Sequence, residues 1–279
     1  MTGERGTRPG ADASRGSTGT MTTDARPTRA GTKPSAQPPK TTRERVQRRL
    51  RAWIPRRHDP LTDLALTVPV FLFYQLGVVF LRERDGVDFF TTQIFRLFSY
   101  SKPAYALFTI ALGLTLLAAS ALVRKRRGDD PAAFFSVIFE SITWAVAMTL
   151  VLGWAVSHMA AGGGPSIPSG FFGKLVLAAG AGFHEELVFR VFGFWGGAGL
   201  LRRAGMKRLS AAIAAAILSS LAFSAVHYFG EMAYDLTFLG FTMRFLGGLI
   251  LAGIFRARGF AVVVYTHVFY DVFMFFAKG

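Results

Sequence analysis

Two adjacent carboxylates and a guanidinium interrupt an otherwise apolar segment that runs from Phe171 to Trp195: Glu185, Glu186 and Arg190. The segment is long enough to cross a lipid bilayer, for which about 20 residues suffice. Ionised side chains at that depth are costly, and they persist when they are paired or line a water-filled cavity. The segment therefore predicts a functional site, to which the other helices supply partners.

The composition is typical of a polytopic membrane protein. Of the residues, 51% are hydrophobic and the mean hydropathy is +0.36, which is too apolar for an ordinary soluble domain. Cysteine is absent, which excludes a disulfide framework, a thiolate metal site and a thiol nucleophile.

The formal net charge of +15 is concentrated in residues 1–58. This tail is rich in Gly, Ser, Thr, Pro and Arg, and we expect it to be disordered. Basic residues accumulate on the cytoplasmic side of membrane proteins, so the tail is predicted to be cytoplasmic and the charge needs no nucleic-acid partner. Met1 and Met21 are both plausible translation starts.

Residues 59–279 are predicted to form an all-α membrane domain, a polytopic helical bundle. Apolar stretches predict seven transmembrane helices, at about 61–81, 104–123, 132–156, 171–195, 209–229, 236–255 and 260–276. Residues 82–103 predict an interfacial helix, and a re-entrant segment there would make an eighth span. The basic loops place the N-terminus in the cytoplasm, and the Ala, Gly and Arg content favours a bacterial inner membrane.

The later spans carry further ionisable residues in helical spacing. Residues four apart lie on one face of a helix. Glu186 is therefore expected to pair with Arg190, and Asp271 to orient the imidazole of His267 and fix its tautomer. Glu185 is rotated by about 100° from its neighbour, which leaves it without a partner on its own helix.

This set of groups suits the activation of water. A carboxylate shielded from bulk solvent can act as a general base toward a bound water molecule. An imidazole can hold the same water, and a second imidazole or another donor can stabilise the oxyanion of a tetrahedral intermediate. Hydrolysis of a peptide bond without a Ser or Cys nucleophile is the predicted reaction.

Three motifs occur in order, each in an apolar span: Glu185-Glu186-x-x-x-Arg190, Phe223-x-x-x-His227 and His267-x-x-x-Asp271. In this the sequence resembles the CAAX prenyl protease type II family, the CPBP or Abi group of intramembrane proteases, over about residues 130–276.

The resemblance implies a catalytic base at Glu185, a partner on the attacking water at His227, and an oxyanion-side pair of His267 and Asp271. It implies supporting roles for Glu186, Arg190 and Phe223. Many members carry Asn where this chain has Asp271. An ionised Asp cannot donate to an oxyanion, so Asp271 is either protonated or serves only to position His267.

A metal enzyme is an alternative, since the family is often described as metalloprotease. Val188 stands where a His-Glu-x-x-His helix would have its second histidine, but Glu185, His227 and His267 could hold zinc. We expect no required cofactor. The expected partners are the bilayer and a membrane-embedded or lipidated peptide. A transporter or proton relay and a non-catalytic scaffold of the same fold are the alternative functions.

Residue counting leaves one conflict. His227 lies near the outer end of its span and His267 nearer the inner end, so they meet only if helices are tilted, broken or unequal in length. Other polar residues are interpreted as structural or interfacial: His184, Glu140, Glu231, Asp235 and Arg244.

Overall fold

The structure, a computed structural model, describes residues 59–81, 89–127, 132–157, 170–229 and 234–277. The predictions for the tail (1–58), including its disorder, lie outside the described residues. Within the described ranges all regular secondary structure is helical, which confirms the predicted fold class.

Eight helices are numbered here in chain order. Their bounds are α1 Pro60–Gly77, α2 Phe89–Leu97, α3 Lys102–Arg127, α4 Ala132–Ser157, α5 over 171–203, α6 Arg208–Val226, α7 Phe238–Arg258 and α8 Phe260–Ala277. Helix α5 is built from α-helix Phe171–Gly180, π-helix Ala181–Glu185, π-helix Leu187–Gly196 and α-helix Gly197–Arg203.

Five of the described helices are long and apolar enough to cross a membrane. They cover Lys102–Leu122, Phe134–Gly153, Arg208–Val226, Phe238–Arg258 and Phe260–Ala277, and match five of the predicted spans. Of the other two predicted spans, 171–195 is helical throughout and 61–81 is helical as far as Gly77. Neither is among the five, so the count of seven is not confirmed. A helix also forms at Phe89–Leu97, within the segment predicted to be interfacial.

Local sequence signals fix where two of the helices begin. The Asp59 side chain accepts hydrogen bonds from the Leu61 amide and the Thr62 hydroxyl, and Pro60 is the first residue of α1. An N-terminal acid cap followed by proline is a typical helix start. The Thr237 hydroxyl accepts from the Gly240 amide at 3.0 Å and begins α7 in the same way.

Helix α8 is the centre of the bundle. Its first eight residues, from Phe260 to His267, are all buried, and it packs against α1, α4, α5 and α7. The Tyr265 hydroxyl donates to the Leu66 carbonyl at 3.0 Å, and the Ser141 hydroxyl donates to the Val262 carbonyl at 3.1 Å. These side chain to backbone bonds fix the height of α8 against α1 and α4.

The start of α8 is held by buried charge. Asp63 Oδ2 accepts the Phe260 amide at 2.6 Å. Arg258 pairs with both carboxylate oxygens of Glu140, with Nη2 to Oε2 at 2.7 Å. The prediction that Glu140 belongs to a structural pair is thus confirmed.

Helices α5 and α8 approach very closely at Gly182. A Cβ atom there would lie 3.0 Å from the Val264 carbonyl oxygen and 3.0 Å from the Val268 amide nitrogen, and would collide with the Val268 side chain. Only glycine fits such an approach. This contact brings the acid pair of α5 to the level of His267.

Candidate active site

The acid pair lies where α5 has its wide turns. Two π-helical segments flank Glu186, and π turns inside α-helices are frequent at functional sites. Glu185 and Glu186 are both buried, with 6% and 0% of their surface exposed. The wide turns and the close contact at Gly182 together direct these carboxylates toward α6 and α8.

Each carboxylate oxygen of Glu186 faces a partner on the protein. Its Oε2 lies 3.0 Å from Arg190 Nε, and its Oε1 accepts a hydrogen bond from His267 Nδ1 at 2.8 Å. The guanidinium is completely buried, so this carboxylate is the counter-charge that makes its burial tolerable. The predicted Glu186–Arg190 pair is present, whereas the bond to His267 was not predicted.

His227 stands at the C-terminal end of α6. Its Nδ1 lies 2.7 Å from the carbonyl oxygen of Phe223, one turn earlier. Because a carbonyl can only accept, the Nδ1 proton is donated to it. The other ring nitrogen, Nε2, faces Glu185 Oε2 at 3.8 Å.

Glu185 Oε2 therefore lies between two imidazoles. His267 Nε2 is 4.0 Å from the same oxygen. The oxygen is buried and has no hydrogen-bond partner among the described residues. Both gaps exceed the 2.7–3.2 Å or so of a direct hydrogen bond, and a single water molecule can bridge such gaps.

Asp271 also lies near His267, one turn farther along α8. Its Oδ2 is 3.7 Å from His267 Nε2. The sequence predicts that Asp271 orients the imidazole, but the Nδ1 proton of His267 is donated to Glu186. The difference arises because the α5–α8 contact brings a carboxylate from another helix nearer than the residue one turn along α8.

The ring of Phe223 forms the apolar wall of the cluster. Its centroid lies 5.0 Å from that of His227 and 5.9 Å from that of His267. The Arg190 guanidinium carbon lies 4.7 Å from the same ring, within the range of a cation–π interaction. One aromatic side chain thus contacts both imidazoles and the buried cation.

The zinc alternative needs Glu185, His227 and His267 as ligands. Zinc bonds of about 2.0–2.2 Å in tetrahedral geometry hold donor atoms roughly 3.3 Å apart, and the two measured separations are 3.8 and 4.0 Å. Within the ranges that the structure covers, no group of three or more His, Cys, Asp or Glu side chains has metal-binding geometry. The donors as placed do not fit a metal, and metal independence stays a prediction.

The remaining polar residues divide into structural and unexplained ones. His184 Nδ1 contacts the Gly180 carbonyl at 3.0 Å and its Nε2 faces the Gln75 amide at 3.5 Å, as expected of a residue facing a neighbouring helix. Asp235 is exposed, and Glu231 lies outside the described residues. Arg244 was interpreted as structural or interfacial, yet it is half-buried near His227.

Unequal helix length does not explain how His227 and His267 come together. Helix α6, which His227 follows directly, has 19 residues, and α8 has 18. Glu185 lies within 4.0 Å of both imidazoles. The expectation that residues from three separate helices converge is met in the geometry.

Comparison with known proteins gives one match. The family model described as Type II CAAX prenyl endopeptidase Rce1-like matches residues 166–273, a range that contains all three motifs. The resemblance drawn from those motifs is thereby confirmed; the wider core limit near residue 130 stays a prediction. No curated protein and no solved structure matches the chain.

Proposed function

We propose that this chain, which carries an Rce1-like type II CAAX prenyl endopeptidase domain at residues 166–273, is an intramembrane endopeptidase of glutamate type. It hydrolyses a peptide bond of a membrane-anchored or lipidated peptide with water activated by Glu185. The observation that carries the proposal is the buried, unbonded Oε2 of Glu185 between two imidazole nitrogens at 3.8 and 4.0 Å.

In the proposed step, a water molecule donates one hydrogen bond to Glu185 Oε2 and one to His227 Nε2. Glu185 takes a proton from the water as the oxygen attacks the scissile carbonyl carbon, and the carbonyl π electrons move to its oxygen. The C–N bond then breaks, and the proton passes from Glu185 to the leaving amine. The products are a carboxylic acid and an amine, so atoms and charge balance.

His267 is the proposed donor to the developing oxyanion. Its Nδ1 proton is engaged by Glu186 at 2.8 Å, so donation to substrate must come from Nε2. The nearby Asp271 carboxylate, at 3.7 Å, favours a proton on that nitrogen. This assigns Asp271 to the support of His267 rather than to direct contact with the oxyanion.

The buried pair of Glu186 and Arg190 is proposed to fix the position of His267. A fully buried ion pair at 3.0 Å has little freedom to move, and catalytic groups must be held to within about half an ångström of their working geometry. Phe223 supports the same arrangement by contact with both rings.

The test compares membrane fractions of cells carrying the wild-type chain and Glu185→Gln. C-terminal peptides are quantified by mass spectrometry after labelling of carboxyl groups. We expect a set of membrane or lipidated proteins to keep their C-terminal segments in the variant. We propose the bacterial plasma membrane, with a cytoplasmic N-terminus, as the location.

Asp235→Asn serves as the matched control, since it neutralises an exposed acid of the same region. Unchanged C-termini in the Glu185→Gln membranes, at equal protein level, would overturn the protease assignment. Proton or solute flux in proteoliposomes that vanished with Glu185→Gln would favour a transporter instead.

A further inference from the structure

A cavity of about 930 Å³ lies between the ends of three helices, outside the proposed catalytic cluster. Its wall comes from the C-terminal part of α5, the first turns of α6 and the last turn of α7. The described residues of this wall include neither the acid pair of α5 nor the imidazoles of His227 and His267. The volume lies at the upper end of the range of about 300–1,000 Å³ that is typical of small-molecule sites.

The polar part of the wall is basic. Four arginines line the cavity: Arg202, Arg203, Arg208 and Arg256. All four side chains are exposed, and no acidic residue is found among the described residues of the wall. Within the described ranges none of the four forms an ion pair. The wall therefore has a positive charge, which favours an anionic ligand.

The rest of the wall is apolar. Phe192, Trp195 and Leu209 are large side chains that are exposed, as expected of residues that face lipid. Phe194 and Phe255 are buried and line the same cavity, with their rings packed edge to face at 5.9 Å. A ligand that matches the whole wall needs both an anionic group and a long apolar part.

The arginines stand at the level where the membrane spans end. Arg202 and Arg203 lie in the last turn of α5. Arg208 is the first residue of the candidate span Arg208–Val226, and Arg256 lies in the last turn of the candidate span Phe238–Arg258. Helices of this length end where hydrocarbon gives way to headgroups, and basic pockets between helices at that level suit anionic lipid headgroups.

The cavity extends to the backbone of α5. Gly199 belongs to its wall and is half-buried, yet a Cβ atom added there would meet no atom within 4 Å. At Gly196, on the same wall, the nearest atom to an added Cβ is the Val191 carbonyl oxygen at 3.5 Å, an ordinary van der Waals distance. A larger side chain at Gly199 would therefore enter the cavity and reduce its volume.

We propose that this cavity binds one anionic glycerophospholipid, with its phosphate on the arginines and an acyl chain along Phe192, Trp195 and Leu209. Guanidinium groups bind phosphate oxygens through paired hydrogen bonds. A soluble acidic peptide matches the charge but leaves the exposed apolar wall without a partner. The lipid joins the ends of α5, α6 and α7 at the end of α6 opposite to His227. The proposal does not depend on the protease function.

Lipid binding is measured on the full-length protein in detergent micelles by native mass spectrometry. The probes are phosphatidylglycerol and phosphatidylcholine with identical acyl chains, glycerol phosphate, and a soluble oligoglutamate peptide. We expect phosphatidylglycerol to form a single adduct with an affinity at least about tenfold above that of each other probe, because each basic residue near an anionic headgroup contributes about fivefold.

Two variants test the wall in different ways. The double variant Arg208→Gln with Arg256→Gln should weaken phosphatidylglycerol binding by about thirtyfold, the effect of two basic residues. Gly199→Phe keeps every charge and should also weaken binding, because the ring fills the cavity. The control is Lys125→Gln with Lys207→Gln, which removes the same charge from exposed side chains outside the wall and should bind as the wild type does.

Equal binding of the two lipids would overturn the proposal, as would a preference for phosphatidylglycerol that survives either in the arginine variant or in Gly199→Phe. Tight binding of glycerol phosphate would assign the cavity to a free phosphate, and tight binding of oligoglutamate would assign it to a protein partner; either result rejects the lipid. If the arginine variant does not fold, Gly199→Phe decides. Because no measurement uses cleavage, the lipid site and the protease fail independently.

Discussion

Helix α8 carries buried polar groups at two levels, and they differ in what their carboxylates face. At its start, the Phe260 cluster (Asp63, Glu140, Arg258 and the Phe260 amide) connects four helices: a carboxylate–amide bond at 2.6 Å joins α1 to α8, and a two-point ion pair joins α4 to α7. Two turns later, the His267 cluster (Glu185, Glu186, Arg190, His227 and His267) leaves Glu185 Oε2 without a hydrogen bond among the described residues.

The comparison shows how to separate scaffold from chemistry inside a membrane bundle. Buried polar atoms are nearly always bonded in folded proteins, and an exception requires an explanation. Charge alone does not distinguish the clusters, because both contain an Arg–carboxylate pair. What distinguishes the His267 cluster is an acid oxygen that has no hydrogen bond and faces two imidazoles.

The largest effect is expected from Glu185→Gln. Because general base catalysis contributes about 10²–10⁴-fold, we expect the cleavage rate to fall by about a thousandfold. The melting temperature should stay unchanged, since the lost oxygen has no hydrogen bond. Rates of C-terminal peptide release and thermal unfolding in detergent measure both quantities. A stability loss as large as that of a Glu140 variant would erase the distinction between the clusters.

A second test separates the two carboxylates of α5. Glu186→Met leaves Arg190 buried without its counter-charge, which should cost about 3–5 kcal/mol of unfolding free energy. The double variant with Arg190→Met should regain most of that stability, because both charges are gone. Activity should stay low in the double variant, since His267 Nδ1 has lost its acceptor. Denaturant unfolding measures the stability of both variants, and cleavage rates measure their activity. Full activity of the double variant would contradict the proposal that Glu186 and Arg190 position His267.

A third test acts on the contact between α5 and α8. Gly182→Ala introduces a methyl group 3.0 Å from the backbone of α8, and such overpacking costs about 1–3 kcal/mol. The acid pair should also move away from His267, so cleavage should fall more than stability does. Gly199→Ala, on the same helix but with nothing within 4 Å, is the control. Equal behaviour of the two variants in melting and activity assays would remove the role of Gly182.

A smaller effect is expected in the Phe260 cluster. Glu140→Gln weakens the pair with Arg258 and should lower the unfolding free energy by about 1–2 kcal/mol. Cleavage per folded molecule should stay unchanged, because Glu140 has no contact with the His267 cluster in the part of the chain described. Thermal melting measures the stability, and cleavage rates divided by the amount of folded protein measure the activity. A rate loss without a stability loss would move Glu140 into the catalytic set.

The smallest effect is expected from Asp271→Asn. Because Asn can still accept or donate a hydrogen bond near His267, the cleavage rate should fall by no more than about tenfold. Asp271→Leu, which can do neither, should lose more. If the Asn variant were as inactive as the Leu variant, the charge of Asp271 itself would be required.

The sequence predicts the parts of this arrangement that depend on spacing along one helix. The Glu186–Arg190 pair follows from two residues four apart, and it is found at 3.0 Å. Apolar stretches likewise predict the all-helical bundle and five of its spans. These features follow from the chain's own periodicity, without knowledge of how the helices pack.

Features that depend on contact between helices could not be predicted. The bond from His267 to Glu186 exists because Gly182 lets α5 approach α8, and one glycine in a glycine-rich sequence does not signal this. The π turns of α5 have no signature in an apolar pattern read with a period of 3.6. The contacts of Arg244 could not be predicted either, because its neighbours Tyr228 and Tyr234 lie outside its own helix.

Gly259 alone joins α7 to α8, with φ at +100°, a backbone region that favours glycine. A connection of a single residue fixes the distance between the end of α7 and the start of α8. The height of His267 along α8 is therefore set directly from the end of α7, without an intervening segment that could absorb a shift. Glycines inserted at this junction should move His267 away from Glu185, which now lies 4.0 Å from it, and the displacement would be read as a fall in the cleavage rate.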